Sequence, residues 1–156
     1  ARGMCAVTNP LVNSYKRINS GFEAPKDIAW SLKNENALLR LHSVAGEDTK
    51  VEVRFPDSSA NPYLTIALCL MAGIDGIEKK ISCGKSYGEL KKENAPVERL
   101  PESLKEAINE MKKDEFVKDV LGEEFFNIYI DSKNKEWKEY LEEVTDWEVS
   151  KYLNRV

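Results

Sequence analysis

Lys50-Val51-Glu52-Val53-Arg54-Phe55-Pro56-Asp57-Ser58-Ser59-Ala60-Asn61-Pro62-Tyr63-Leu64-Thr65-Ile66-Ala67-Leu68-Cys69-Leu70-Met71 is the stretch in which the chain changes period. Its first six residues alternate: Val51, Val53 and Phe55 fall on one face, and Lys50, Glu52 and Arg54 on the other. That is the period of two of a β-strand. Past Asn61 the alternation stops and Leu64, Ile66, Ala67, Leu68, Leu70 and Met71 crowd together, leaving almost no polar face. Pro62 suits the first turn of a helix, with Asn61 as its cap. A helix apolar all round is expected to be buried all round.

Upstream, Ile28–Leu32 and Leu38–Val44 read as two further strands. The turn signal Gly46-Glu47-Asp48 would join the second and third in a hairpin. Downstream, Cys83–Leu100 is polar, contains Pro96 and reads as a long surface loop. Leu104, Ala107, Ile108 and Met111 then keep helical spacing, as do Trp137, Tyr140, Leu141 and Val144. Gly122 is placed to end a short helix starting at Glu115. The expected class is α+β: antiparallel strands in a strand-rich part, 1–60, packed with a helical part, 61–156, in one domain spanning 1–156.

Composition narrows the function classes. At 156 residues, 42% hydrophobic and 32% charged, the chain can bury a core of its own. The apolar run Leu64–Ile74 is too short for a bilayer, so no membrane partner is expected. Charge is balanced over residues 1–75, and the net −4 lies entirely in residues 76–156. An acidic half argues against nucleic acid, which calls for a basic face. Cys5, Cys69 and Cys83 are scattered, odd in number and without metal-ligand spacing, so a reducing, cytoplasmic location is expected. Ala1 is not a start methionine, and the chain is expected to begin inside a longer protein.

Three segments are hard to explain by packing alone. The polar face of Lys50–Arg54 sets two cations around one carboxylate, which reads either as a solvated edge or as a charged cavity wall holding a metal and anions. Asn13-Ser14-Tyr15-Lys16-Arg17 ends in two adjacent cations, and Ser20-Gly21-Phe22-Glu23-Ala24-Pro25 holds a carboxylate between a flexible and a stiff residue, as mobile lids do.

Together these segments resemble the class I glutamine synthetases. The resemblance runs through Asn9-Pro10-Leu11-Val12-Asn13-Ser14-Tyr15-Lys16-Arg17 and Gly21-Phe22-Glu23-Ala24-Pro25. It continues with Ala29-Trp30-Ser31, Val51-Glu52-Val53-Arg54, Asp57 with Ala60-Asn61-Pro62-Tyr63-Leu64, and Ala72-Gly73-Ile74-Asp75-Gly76-Ile77. More weakly it reaches Glu136-Trp137 and Trp147-Glu148, and it implies that Val156 lies at or near the end of the protein. It implies a ligase that activates glutamate with ATP to γ-glutamyl phosphate, which ammonia then attacks. Mg²⁺ or Mn²⁺ would be the cofactor, and the whole enzyme a homo-oligomeric ring, a dodecamer.

By residue, the resemblance implies that Arg17 and Arg54 bind substrate glutamate and that Arg40 and Lys50 face the nucleotide phosphates. Glu52 would be a ligand of the metal bridging those phosphates. Glu23 would close the glutamate site as the flap carboxylate and help take a proton from ammonium. Three positions depart from the family pattern. Glu35, in Asn34-Glu35-Asn36, stands where a phosphate-facing arginine is usual, so a nearby cation compensates, the local alignment shifts, or activity is impaired. Lys50 replaces an arginine, keeping the charge but losing the fork. His42 replaces a proline and, with no second ligand beside it, reads as structural or surface. Tyr87 falls where some relatives carry a modified tyrosine, but Lys85-Ser86-Tyr87-Gly88-Glu89-Leu90 lacks that signature and reads as a plain loop.

The family's other metal ligands, its ammonium site and its N-terminal domain would precede Ala1, so the chain alone is expected to be inactive. Two alternatives stay open: a ligase of the same fold for another amine, and a non-catalytic relative.

Overall fold

A computed structural model of the chain describes residues 1–20, 24–33, 36–42 and 49–153. Two helices open it, α1 (Cys5–Thr8) and α2 (Val12–Asn19), followed by strands β1 (Asp27–Ser31), β2 (Ala37–Leu41) and β3 (Val51–Val53). Helices α3 (Pro62–Glu78), α4 (Tyr87–Lys92), α5 (Leu104–Lys112), α6 (Glu115–Leu121), α7 (Glu123–Glu142) and α8 (Asp146–Tyr152) complete it. The class is α+β as expected, with helices dominating.

The core is built around α1. Cys5, Ala6, Val7 and Thr8 are all buried and pack on α5 and α3. A helix end leaves its last carbonyls short of internal partners, and in α1 three of the four accept from other parts of the chain. The Tyr15 hydroxyl of α2 donates to the Cys5 carbonyl (3.3 Å), Tyr129 of α7 to Ala6 (2.9 Å), and the Asp57 amide to Thr8 (2.9 Å). Sheet and helices are thereby tied to one four-residue segment. The apolar face of α5 (Leu104, Ala107, Ile108, Met111) is fully buried against it, as the helical spacing requires. Gly122, at φ 78°, ends α6 in the left-handed region that only glycine enters without strain.

Four expectations need correction. First, the strand-rich third begins with helices. In α2, Ser14, Tyr15 and Ile18 form the buried face, and the Ser14 hydroxyl accepts from the Leu11 amide (3.1 Å) at its start. Second, β2 and β3 are antiparallel, pairing Arg40 with Glu52, but β1 runs parallel to β2 with an irregularity between Asp27 and Trp30. Side-chain alternation fixes which face a residue takes, not the direction of its strand. The far edge of β1 is met by 98–100, through Ile28 N–H to Glu98 (2.8 Å) and Leu100 N–H to Lys26 (2.9 Å). The turn Gly46-Glu47-Asp48 and Val44 lie outside the described residues.

Third, α3 is not buried all round. Asn61 caps it as expected, its Oδ1 accepting from Tyr63 N (2.9 Å) and Leu64 N (3.3 Å). Leu68 faces α1 and α6, yet Tyr63, Ile66, Leu70, Ile74 and Ile77 form an exposed stripe. Apolar composition says that a helix will be covered but not by which segment, and no described element covers this side. Fourth, Cys83–Leu100 is not simply loop. Ser86 and Glu89 form a reciprocal capping box that starts α4. Tyr87 at its head is 5% exposed and donates to the Asp27 carboxylate at 2.8 Å. Among the described residues no helix is long and apolar enough to cross a membrane.

Candidate active site

The polar face read from Lys50–Arg54 is a charged cluster. Arg40 on β2 and Glu52 on β3 are direct cross-strand partners, and opposite charges so placed attract. Arg40 Nε donates to Glu52 Oε2 at 2.6 Å, and Arg54 Nε lies 3.5 Å from Oε1. Arg54, just past β3, has a side chain only 13% exposed. His42, two positions after Arg40 and so on the same face, places Nε2 2.9 Å from Glu52 Oε2. Its amide donates to the Lys50 carbonyl (3.2 Å), extending the ladder by one pair. Lys50 itself is exposed beside this cluster.

Partial burial pushes the Glu52 carboxyl up. The hydrogen bonds from His42 and Arg40 and the charges of Arg40 and Arg54 together outweigh it, and the carboxyl titrates below its ordinary value. Glu52 therefore stays ionised at neutral pH, in the form that attracts cations. Among the described residues no group of three or more His, Cys, Asp or Glu could hold a metal. Glu52 alone is one carboxylate, and its two oxygens face Arg40 and Arg54, so any metal held there would need its other donors from elsewhere.

Arg17 lies in a second place, a cleft of about 420 Å³ lined by α2 and the turn after Arg54, including Asn13, Asp57, Ser58 and Ser59. Its Nη2 donates to Asn9 Oδ1 (3.3 Å), while its Nε is buried without a hydrogen-bond partner. Asn9 is fully buried, and its Nδ2 reaches Thr8 Oγ1 (3.1 Å) and Cys5 Sγ (3.6 Å). A buried guanidinium nitrogen without a partner is uncommon, and the cleft beside it mixes hydroxyls and an amide with the Asp57 carboxylate. The chain joins the two places, since Pro56 and Asp57 follow Arg54 directly.

Arg40, Glu52 and Arg54 are thus brought together and Arg17 lines a neighbouring cleft, while Glu23 and Glu35 lie outside the described residues. Two participants were named from the sequence without a role in the site: His42 was read as structural or surface, and Asn9 only as the start of a motif. The Arg40-x-His42 spacing already places His42 on the charged face, but its contact with Glu52 depends on the β2–β3 register. The bond of Asn9 to Arg17 gave no signal, because it depends on burial.

The chain thus presents a charged sheet face and, next along it, a polar cleft. The glutamine synthetase catalytic-domain model matches residues 1–152, and the chain belongs to that family. It is 45% identical over 160 residues to the glutamine synthetase of Methanosarcina mazei, covering 98% of this chain and 36% of that one. With the glutamine synthetase of Clostridium saccharobutylicum it shares 44% over 162 residues, 99% of this chain and 36% of the relative. Among solved structures, the GmaS/ADP complex in conformation 1 superposes with a TM-score of 0.83 at 31% identity, over 98% of this chain and 36% of that one. The chain therefore spans little more than a third of the length of the relatives it matches.

Proposed function

We propose that the chain is part of the catalytic domain of a glutamate–ammonia ligase, supplying the wall of the site that holds glutamate and the ATP phosphates. The observation that carries this reading is the cluster of Arg40, Glu52 and Arg54 on one face of the β2–β3 pair. Joining a carboxylate to ammonia requires bringing a triphosphate against a second anion, and fixed cations lower that electrostatic barrier. Arg17 and Arg54 hold glutamate, each through a charge-assisted contact worth about 1.5–3 kcal/mol. Arg40 and Lys50 face the phosphates. Glu52 lies between Arg40 and Arg54 and would serve as one ligand of a divalent cation, Mg²⁺ or Mn²⁺. Bound there, such a cation would screen the phosphates and polarise the transferred phosphoryl group.

Glu23, as the flap, would keep water from the acyl phosphate and receive a proton from ammonium. The remaining metal ligands and the ammonium site belong to parts of the enzyme outside this chain, and the full-length protein would act as a homo-oligomeric ring in the cytoplasm. Alone, with glutamate, ATP, Mg²⁺ and ammonia, the 156 residues are expected to form no glutamine, and robust formation would overturn this. In a full-length ligase carrying them, Arg54→Ala should raise the KM for glutamate by about tenfold or more, with the KM for ATP little changed. An unchanged glutamate KM would remove Arg54 from the glutamate site.

A further inference from the structure

Arg17 differs from the other arginines in what holds it. Arg2 pairs with Glu106 (2.6 Å), Arg40 with Glu52 (2.6 Å), Arg54 with Glu52 (3.5 Å) and Arg99 with Asp27 (3.4 Å). Among the described residues Arg17 alone of the arginines enters no such pair, and its Nη2 donates instead to the neutral Oδ1 of Asn9 (3.3 Å). Asp57 lines the same cleft, but its Oδ1 accepts from the amide (2.8 Å) and hydroxyl of Ser59. We propose that Asn9 is a positioning residue for Arg17. It fixes the guanidinium at the cleft through a neutral contact and so leaves the full charge for the carboxylate of the substrate. The proposal rests on the reading of Arg17 as a glutamate-binding residue and adds what keeps it oriented and unneutralised.

The Asn9 amide can point only one way. Asn9 is fully buried, so its polar atoms must find partners within the protein. Thr8 Oγ1 donates its single proton to the Met4 carbonyl (3.2 Å) and therefore offers Asn9 Nδ2 a lone pair, at 3.1 Å. Cys5 Sγ is a weak acceptor for the second Nδ2 proton, at 3.6 Å. Turned over, the amide would set its own protons against a guanidinium that has only protons to offer. The backbone of Asn9 is held by the same helix, its N–H donating to the Cys5 carbonyl at 2.8 Å. Oδ1 is thus aimed at Arg17 by α1 itself.

A carboxylate at position 9 would hold Arg17 more strongly, since an ionised acceptor roughly doubles such a bond. It would also offset the charge that attracts a second carboxylate, and the two would compete for one guanidinium. Firm anchoring and anion binding make opposite demands on this position, and a buried amide of fixed orientation meets both. Packing does not separate asparagine from aspartate here. The Thr8 hydroxyl and the Cys5 thiol can each turn to donate to a carboxylate.

The test is steady-state kinetics of a full-length ligase carrying these residues, with Arg17→Ala as the reference. Asn9→Asp should raise the KM for glutamate about tenfold or more, with kcat and the KM for ATP within about twofold of the parent. Thr8→Val removes the acceptor that orients the amide and should raise the glutamate KM in the same direction. Thr8→Ser keeps that acceptor and should retain the parent KM. Circular dichroism checks the fold of each variant, and Thr8→Val keeps the test decisive should Asn9→Asp not fold. If Arg17→Ala raises the glutamate KM while Asn9→Asp and Thr8→Val do not, the positioning role is overturned and the Arg17 reading stands. A fall in kcat with a rise in both KM values would also overturn it, marking Asn9 as structural support. A glutamate KM indifferent to Arg17→Ala would overturn both.

Discussion

Replacing Tyr87 by phenylalanine removes one oxygen and tests how firmly the segment after α3 is anchored to the sheet. The hydroxyl donates to Asp27 Oδ2 at 2.8 Å, and both residues are buried. Burial, and then the bond to the Asp27 carboxylate, push the Tyr87 hydroxyl up, so it remains a donor throughout the neutral range. A hydrogen bond to a charged acceptor contributes about 1.5–3 kcal/mol. Asp27 keeps Arg99 at 3.4 Å, so the carboxylate is not left unpaired and about 2 kcal/mol is expected. At about 2–4 °C per kcal/mol for a chain of this size, the melting temperature should fall by about 4–8 °C. The assay is thermal unfolding followed by far-ultraviolet circular dichroism, with Tyr63→Phe as control because Tyr63 is 84% exposed. A Tyr87→Phe melt within about 1 °C of the parent would refute the anchoring. The same burial keeps the hydroxyl from any modifying enzyme that acts on the folded chain.

Two further outcomes follow, one from burial and one from exposure. Desolvation pushes the Cys5 thiol up from 9.0 to about 12, so the folded state holds that proton where the unfolded chain releases it. Stability from this group is complete below about pH 9 and is lost as pH rises toward 12, by about 4 kcal/mol at most; Cys5→Ala should flatten the alkaline limb of a urea-midpoint profile, and an unchanged limb would count against it. The exposed α3 stripe should make the isolated chain self-associate, and Leu70→Glu with Ile77→Lys should lower the sedimentation-average mass. If the mass stays the same, the association lies on another surface.

What could be read from the sequence was whatever depends on near neighbours. Asn61-Pro62, Gly122 and the α5 spacing each act within one or two turns, and all three did what local chemistry dictates. The β3 phase was legible for the same reason, and with it the common face of Glu52 and Arg54. Contacts set by distant segments were not legible. Tyr87 meets Asp27 across 60 residues, and His42 meets Glu52 only through the β2–β3 register. The parallel sense of β1 depends on a connection that alternation does not encode. α1 and α2 were missed because four- and eight-residue helices separated by Asn9-Pro10-Leu11 carry too little periodicity. The exposed side of α3 has a different cause: its sequence describes a helix that will be covered, and the cover is not among the described residues.

The tying of α1 to three other parts of the chain has a consequence for how the molecule opens. A four-residue helix on its own opens readily, and its amides exchange with solvent at little energetic cost. Here the carbonyls of Cys5, Ala6 and Thr8 are held by Tyr15, Tyr129 and Asp57. Releasing them loosens α2, α7 and the turn beside Arg17 at once. The backbone of residues 5–9 therefore belongs with the slowest-exchanging part of the protein. Of the residues lining the Arg17 cleft, the exposed Asn13, Ser58 and Ser59 can then move at less cost than those next to α1.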